Sequence, residues 1–368
     1  MTYEIAIYST ISELLPGEVL AKIASGAACS PRRGDDGELC YDLAYKTSRA
    51  RVRHFHAGQA DFAGHVRGFL GYVLEAAEGN MDTDLWEIYY HVSKVRQGLG
   101  VTFEPEWDAE NGPELVAALA DAVSGFVLVN DMLTDPWGGL LLGPGNDRGK
   151  GVRFVFDSAK ERRERSCGRL ATLGLTTPDS LPTTVADEEA LLRSADDAAR
   201  RAIVLMAVAM RAEGVAQPKV VKFLKQRGAS EAVSPEEKAF LMQPQPDEAQ
   251  MRHLTWRYES LWVLLWALGH VDSLSPPSEQ CDARQAIKLI NRAPSSQFVG
   301  QARLRPAAEI LDEVDFYYRA HWHVRRAQLG EVPAIEDLDS DVIEERHYVL
   351  NWLTNYQYQD WDKVTTDT

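Results

Sequence analysis

Residues 256–270 read WRYESLWVLLWALGH, and this stretch decides the character of the second half of the chain. From Leu261 to Leu268 it carries no polar side chain. At 100° per residue a helix of this composition is apolar on every side, so other helices must enclose it. Each tryptophan in it can bury on the order of 150–250 Å². One carboxylate, Glu259, sits at its head. A second apolar run, Ala202 to Met210, follows a good helix start at Ser194, with Asp196 and Asp197 in the first turn, where the helix dipole favours acids. Two enclosed rods imply an all-helical domain.

The rest of that half is helical at nearly every turn. Expected helices run from Pro218 to Arg227, from a Ser234 cap to Leu241, and from Cys281 to Asn291. Two longer ones follow, Pro306 to Leu329 and Ser340 to Tyr356. A basic helix, Lys160 to Arg169, precedes them, with a proline-containing loop at Thr176 to Thr184. The first half mixes patterns. Strands are expected at Tyr3–Tyr8, Leu39–Lys46, Arg51–His56, Val101–Phe103, Phe126–Val129, Gly138–Leu142 and Val152–Phe156. Helices are expected at Gly17–Ala28, Asp61–Ala77, Thr83–Gln97 and Pro113–Val123. The stretch 143–151, GPGNDRGKG, reads as a linker. The expectation is therefore an α+β chain with an α+β domain over 1–157 and an all-helical domain over 158–368.

A chain of 368 residues exceeds what one core supports, in keeping with two domains. Its 45% apolar and 26% charged residues are those of a soluble globular protein. A net charge of −16 argues against nucleic acid or an anionic membrane as partner. Neither apolar run approaches the roughly 20 residues a membrane span needs. The N-terminus, MTYEIAIYST, lacks the plan of a signal peptide. Cys29, Cys40, Cys167 and Cys281 show no metal-binding or disulfide spacing, so reduced thiols in a cytoplasm are expected.

Several segments of the second half occur together in one order: LPTT at Leu181, LRSADDAARRAIVL at Leu192, SPEEKAFL at Ser234 and WRYESLWVLLWALG at Trp256. DFYYRAHWHVRRAQL at Asp315, EERHYVLNWL at Glu344 and WDKVTTDT at Trp361 complete the series. In these the chain resembles the bacterial family known as domain of unknown function 4272, over roughly Lys160 to Thr368. The resemblance implies no activity and carries no catalytic roles.

Candidate site residues come from polar groups on apolar stripes. On Pro306–Leu329, Ile310, Leu311, Val314, Tyr317, Tyr318, Trp322 and Leu329 form one stripe, with His321 and Arg325 in its middle. The opposite face carries Asp312, Asp315, Arg319 and His323, and Asp315–Arg319 is an (i, i+4) pair. On the last helix Arg346 projects among Val342, Val349, Leu350 and Leu353. A buried charge must be paired, so Glu259 is expected to meet His321, Arg325 or Arg346. Such a cluster serves either as an ion-pair network fixing helix register or as a pocket. In the pocket Glu259 and His321 would be catalytic acid and base, and Arg325 and Arg346 would bind an anionic ligand.

No metal and no cofactor are expected. His321 and His323 diverge by about 200° on a helix. His54 and His56 share a strand face, but a third ligand is lacking unless His65 or Asp61 supplies it. The 143–151 stretch fails as a phosphate loop, because Pro144 and Gly151 stand where a glycine and a hydroxyl residue are required. Arg162, Arg163, Arg165 and Arg169 are expected to pair with acids of the same chain, and the acidic C-terminus, with Asp360, Asp362 and Asp367, to be solvated. With no catalytic motif in evidence, the function expected is a non-enzymatic binding or interaction module. The alternative is a hydrolase or other enzyme acting on a small anionic substrate at the Glu259, His321, Arg325 and Arg346 cluster.

Overall fold

A computed structural model describes residues 5–13, 32–33, 39–59, 61–104, 106–143, 155–335 and 338–368, together with Gly17, Leu20 and Ile23. The expected linker at 143–151 and closing strand at 152–156 fall largely outside these residues, as does most of the expected helix at 17–28. The chain divides into two compact units. One comprises 1–157 with 188–191, the other 158–187 with 192–368. The fold is α+β, as expected. Among the described residues, no helix is long and apolar enough to cross a membrane.

The first unit is built on an antiparallel sheet of β1 (Ile5–Ser9), β2 (Arg32–Arg33), β3 (Leu39–Tyr45), β4 (Ser48–His56), β5 (Gln97–Glu104), β6 (Phe126–Val129), β7 (Met132–Thr134) and β8 (Leu140–Leu142). Their order is β2-β3-β4-β5-β1-β6-β7-β8. β1 lies inside, with Ile7 opposite Leu99 on one side and Val127 on the other. Among its described elements are three helices: α1 (Phe62–Ala76), α2 (Thr83–Ser93) and α3 (Gly112–Val123). On one face Ile5, Ile7, Val52, Leu99 and Val101 pack with Leu115, Leu119 and Val123 of α3. On the other Tyr8 meets Phe69 of α1, ring centroids 4.5 Å apart.

Two boundaries on either side of the turn into β5 differ from expectation, for one reason. The helix expected to reach Gln97 stops at Ser93, and the strand expected at Val101 starts at Gln97. Gly98 and Gly100 contribute no side chains to the alternation, which conceals the first half of a central strand. β7 also escaped the sequence pattern. It is three residues long and follows a tight turn in which Asn130 and Asp131 both take positive φ, 49° and 58°. Glu188–Leu191 joins this unit through a buried ion pair, Lys94 Nζ to Glu189 Oε2 at 2.9 Å.

The second unit contains α4 (Asp157–Thr172), α5 (Ala195–Ala212), α6 (Gln217–Gln226), α7 (Pro235–Met242), α8 (Glu248–Thr255) and α9 (Arg257–Ala267). They are followed by α10 (Ala283–Asn291), α11 (Ser295–Gly300), α12 (Ala307–Gln328) and α13 (Ser340–Leu353). α5 and α9 are the two enclosed rods, with every residue from Ala202 to Ala209 and from Tyr258 to Ala267 buried. α9 packs between α5 and α13, and α13 against α12. α7 opens at the expected Ser234 cap, which forms one half of a reciprocal box: Ser234 accepts from the Glu237 N–H, and Glu237 accepts from the Ser234 N–H.

The stripe on α12 ends earlier than the sequence suggests, since Leu329 is exposed. Its opposite face is buried as well. Asp315 and Arg319 are both 0% exposed and pair at 2.8 Å. The end of the proline loop covers them, with the Thr184 hydroxyl donating to Asp315 at 2.8 Å and Arg319 donating to the Pro182 carbonyl at 3.0 Å. The C-terminus is not a solvated tail. Asp362 accepts from the Glu236 N–H at the start of α7, and Asp367 accepts from Tyr356 and Thr365. The basic cluster pairs internally: Arg162 and Arg165 with Asp312, Arg163 with Asp179, and Arg169 with Glu313.

Candidate functional site

Glu259 lies in the first turn of α9 and is 2% exposed. Its Oε2 accepts from Arg346 Nε at 2.9 Å, and its Oε1 accepts from the Cys281 backbone N–H. Arg346, from α13, is 0% exposed. Its Nη1 donates to the Ser275 carbonyl and the Tyr317 hydroxyl, both at 2.7 Å. Its Nη2 donates to Ser275 Oγ at 2.8 Å and the Glu279 carbonyl at 3.1 Å. A guanidinium has five N–H groups, and each here has an acceptor. Burial works against the Arg346 charge, but Tyr317 and Glu259 outweigh it and hold its pKa above the ordinary value. Burial, followed by the charge of Glu259, pushes the Cys281 thiol up, so that it stays protonated. The cluster ties α9, α12 and α13 to the loop that carries Ser275 and Glu279.

His321 and Arg325 are not part of it. His321 faces His347 of α13, Nδ1 to Nδ1 at 3.0 Å, with the rings edge-on. Burial, then the charge of Arg325, lowers the His321 pKa to about 4, and burial then His321 lower that of His347. Both imidazoles are therefore neutral at pH 7, one donating and one accepting. Arg325 is exposed and donates to Gln328, at 3.2 Å. The four candidates thus separate because consecutive residues on a helix project about 100° apart. Arg346 turns toward α9 and Tyr317, while His347 turns toward the next turn of α12.

As partners, His347, Tyr317 and Glu345 were all missed in the sequence. Tyr317 reads as one more apolar position of its stripe, although a buried tyrosine needs a partner for its hydroxyl. Glu345, beside Arg346, pairs with Arg257 at 2.7 Å and accepts from Ser260 at 2.7 Å, a second network on the same helix pair, in which Arg257 Nε is buried without a hydrogen-bond acceptor.

Open space lies elsewhere. The helical unit has a small polar cleft of about 320 Å³, lined by Arg169, Trp266, Ser275, Arg305, Glu313 and Tyr317 among others. It touches the network at Ser275 and Tyr317 only. The sheet unit has a larger cleft, about 770 Å³, between α1 and the sheet. Glycines shape it. A Cβ at Gly98 would stand 2.2 Å from Phe55 Cζ, and one at Gly100 3.5 Å from Arg53 Nε, so both side chains lie across β5 because it is bare there. Gly64 and Gly68 of α1 line the other wall, and a Cβ at Gly68 would meet nothing within 4 Å. Between the walls Tyr8 Oη and His65 Nε2 hydrogen-bond at 2.7 Å.

The paired strand histidines do share a face, with ring centroids 5.8 Å apart. His54 is buried and bonds Gln97 at 2.9 Å, and His56 Nδ1 accepts from the Gly58 N–H. His65 cannot join them, because it packs on Phe55, which points to the opposite face. Among the described residues, no three His, Cys, Asp or Glu side chains converge to hold a metal ion.

Compared with known proteins, residues 162–364 match the family described as Domain of unknown function (DUF4272). No curated protein and no solved structure matches the chain. The family match takes in α5, α9, α12 and α13 whole, and with them both networks. Because it spans more than half of the sequence, the chain belongs to the DUF4272 family.

Proposed function

We propose that the protein acts by binding a small molecule or partner without transforming it, and that the Glu259–Arg346 cluster is scaffold. One observation carries this reading: every N–H of Arg346 is already taken by Glu259, Ser275, Tyr317 and Glu279, so the cluster offers no group to a substrate. The enzyme alternative needs an acid, a base and an anion binder around one open space. Instead Glu259 and Arg346 close on each other, His321 closes on His347, and Arg325 is exposed elsewhere on α12. The net charge of −16 and the dispersed cysteines support a cytoplasmic role without a nucleic-acid partner.

The test is a thermal-shift screen of the full chain against metabolites, nucleotides and metal salts, since a ligand that prefers the folded state raises its melting temperature. Each hit is then incubated with the protein and analysed by mass spectrometry. Hits recovered unaltered are the expected result. Consumption of a hit by the wild type but not by Glu259→Gln, with both proteins folded, overturns the reading.

A further inference from the structure

The cleft between α1 and the sheet has a layout that points to its occupant. Its inner wall is a row of rings in mutual contact: Phe62 with Phe55 at 6.1 Å, Phe55 with Tyr8 at 6.1 Å, Tyr8 with Phe69 at 4.5 Å, and Phe69 with Tyr72 at 6.4 Å. A carboxylate stands at each end. Asp61 precedes the first turn of α1 without using its side chain as a cap. Asp131 sits in the β6–β7 turn, where its carbonyl accepts from the Tyr72 hydroxyl at 3.0 Å. Both aspartates line the cleft, and among the described residues neither carboxylate is held in an ion pair. From Asp61 to Tyr72 the helix rises about 16 Å at 1.5 Å per residue. The cleft is thus long and acidic at both ends, over a row of rings of which Phe55 and Tyr72 are half-buried and Tyr8, Phe62 and Phe69 buried. Arg53, the one Lys or Arg side chain in its lining among the described residues, lies flat over Gly100.

We infer that this cleft binds a linear aliphatic polyamine, its terminal ammonium groups at Asp61 and Asp131 and its methylene chain along the rings. Ammonium groups gain from aromatic faces as well as from carboxylates, and apolar methylenes suit the wall between. An anionic ligand would face two carboxylates in a protein of net charge −16. The glycines fit the same occupant. Glycine inside a helix is less favourable than alanine, yet at Gly68 no neighbouring atom demands it. What its bare backbone preserves is the width of the cleft. This inference rests on the binding reading above and specifies its ligand.

The experiment is isothermal titration of the full chain with spermine, spermidine, putrescine, butylamine and glutarate at fixed ionic strength. Affinity should rise with the span between terminal amines, spermine exceeding putrescine by at least tenfold, with butylamine and glutarate silent. Asp131→Asn and Asp61→Asn should each weaken spermine about tenfold. Asparagine accepts the positive φ of residue 131, and Asp61 makes no side-chain cap to lose, so both variants should fold. Gly68→Leu should abolish binding while the protein melts no lower than the wild type. Spermine binding that ignores all three substitutions would be mere attraction to the acidic surface and overturns the inference, as does preferential binding of glutarate. Those failures leave the binding-module reading standing. Chemical conversion of spermine would sink that reading instead.

Discussion

In the helical unit Arg346 has five N–H groups and five acceptor atoms, and Glu259 opposite it is all but sealed from water. In the cleft of the sheet unit the aspartates at either end stand in solvent, and Tyr8 and His65 hold each other beside about 770 Å³ of open space. The first arrangement uses polar chemistry to fix how helices pack. The second uses glycine to keep room free. A charged residue on an apolar stripe advertises burial, and burial in a helical core more often means a closed pair than a reactive one. Residues with no side chain advertise nothing, and they make the larger cleft.

The sharpest way to break this contrast is to remove one partner of the closed pair. Arg346→Ala leaves Glu259 buried without the cation it pairs with, which should cost about 3–5 kcal/mol. The same change at exposed Arg325 should stay within about 0.5 kcal/mol. Urea unfolding of the two variants, followed by tryptophan fluorescence, gives the comparison. If Arg346→Ala proves no more costly than Arg325→Ala, the cluster does not organise the helices.

A second probe is pH. The folded pKa of His321 is lowered from 6.5 to about 4 by burial and Arg325, and that of His347 is lowered too. The unfolded chain therefore binds more protons than the folded one between pH 6.5 and 4. Stability contributed by the neutral pair is complete above pH 6.5 and is lost as the pH falls through that window, by roughly 2–3 kcal/mol for His321 alone. Unfolding midpoints measured from pH 7.5 to 4 should show the decline, and His321→Gln should flatten it. An unchanged slope in that variant would place the acid sensitivity elsewhere.

Much of this was legible beforehand, and the limits were physical. The rods α5 and α9 were plain because an apolar run with no polar side is incompatible with a surface helix. The start of α7 was plain because Ser-Pro-Glu-Glu satisfies capping rules that act within four residues. The partner of Glu259 could be narrowed only to three cations, since helical periodicity fixes which face a residue occupies and says nothing of what stands opposite. The same gap concealed the cover over Asp315 and Arg319, supplied by Pro182 and Thr184 from a loop that reads as surface. The cleft left the faintest trace. Its sequence signature is glycine in a strand and a helix, where propensity alone counts it as weakness.

That weakness can be measured, and it should have opposite signs at two glycines of one cleft. At Gly98 an added methyl collides with Phe55, which lies across β5. Gly98→Ala should therefore destabilise the sheet unit by about 1–3 kcal/mol, the usual cost of overpacking. At Gly68 the methyl enters open space, and the gain in helix propensity should stabilise by about 0.5–1 kcal/mol. Calorimetric melting of both variants decides the matter. A stabilising Gly98→Ala would mean that Phe55 does not need the bare strand. A destabilising Gly68→Ala would mean that the helix face is already filled. With the signs as expected, the chain keeps one glycine for its fold and the other at the expense of its fold, and only the second asks for a ligand to explain it.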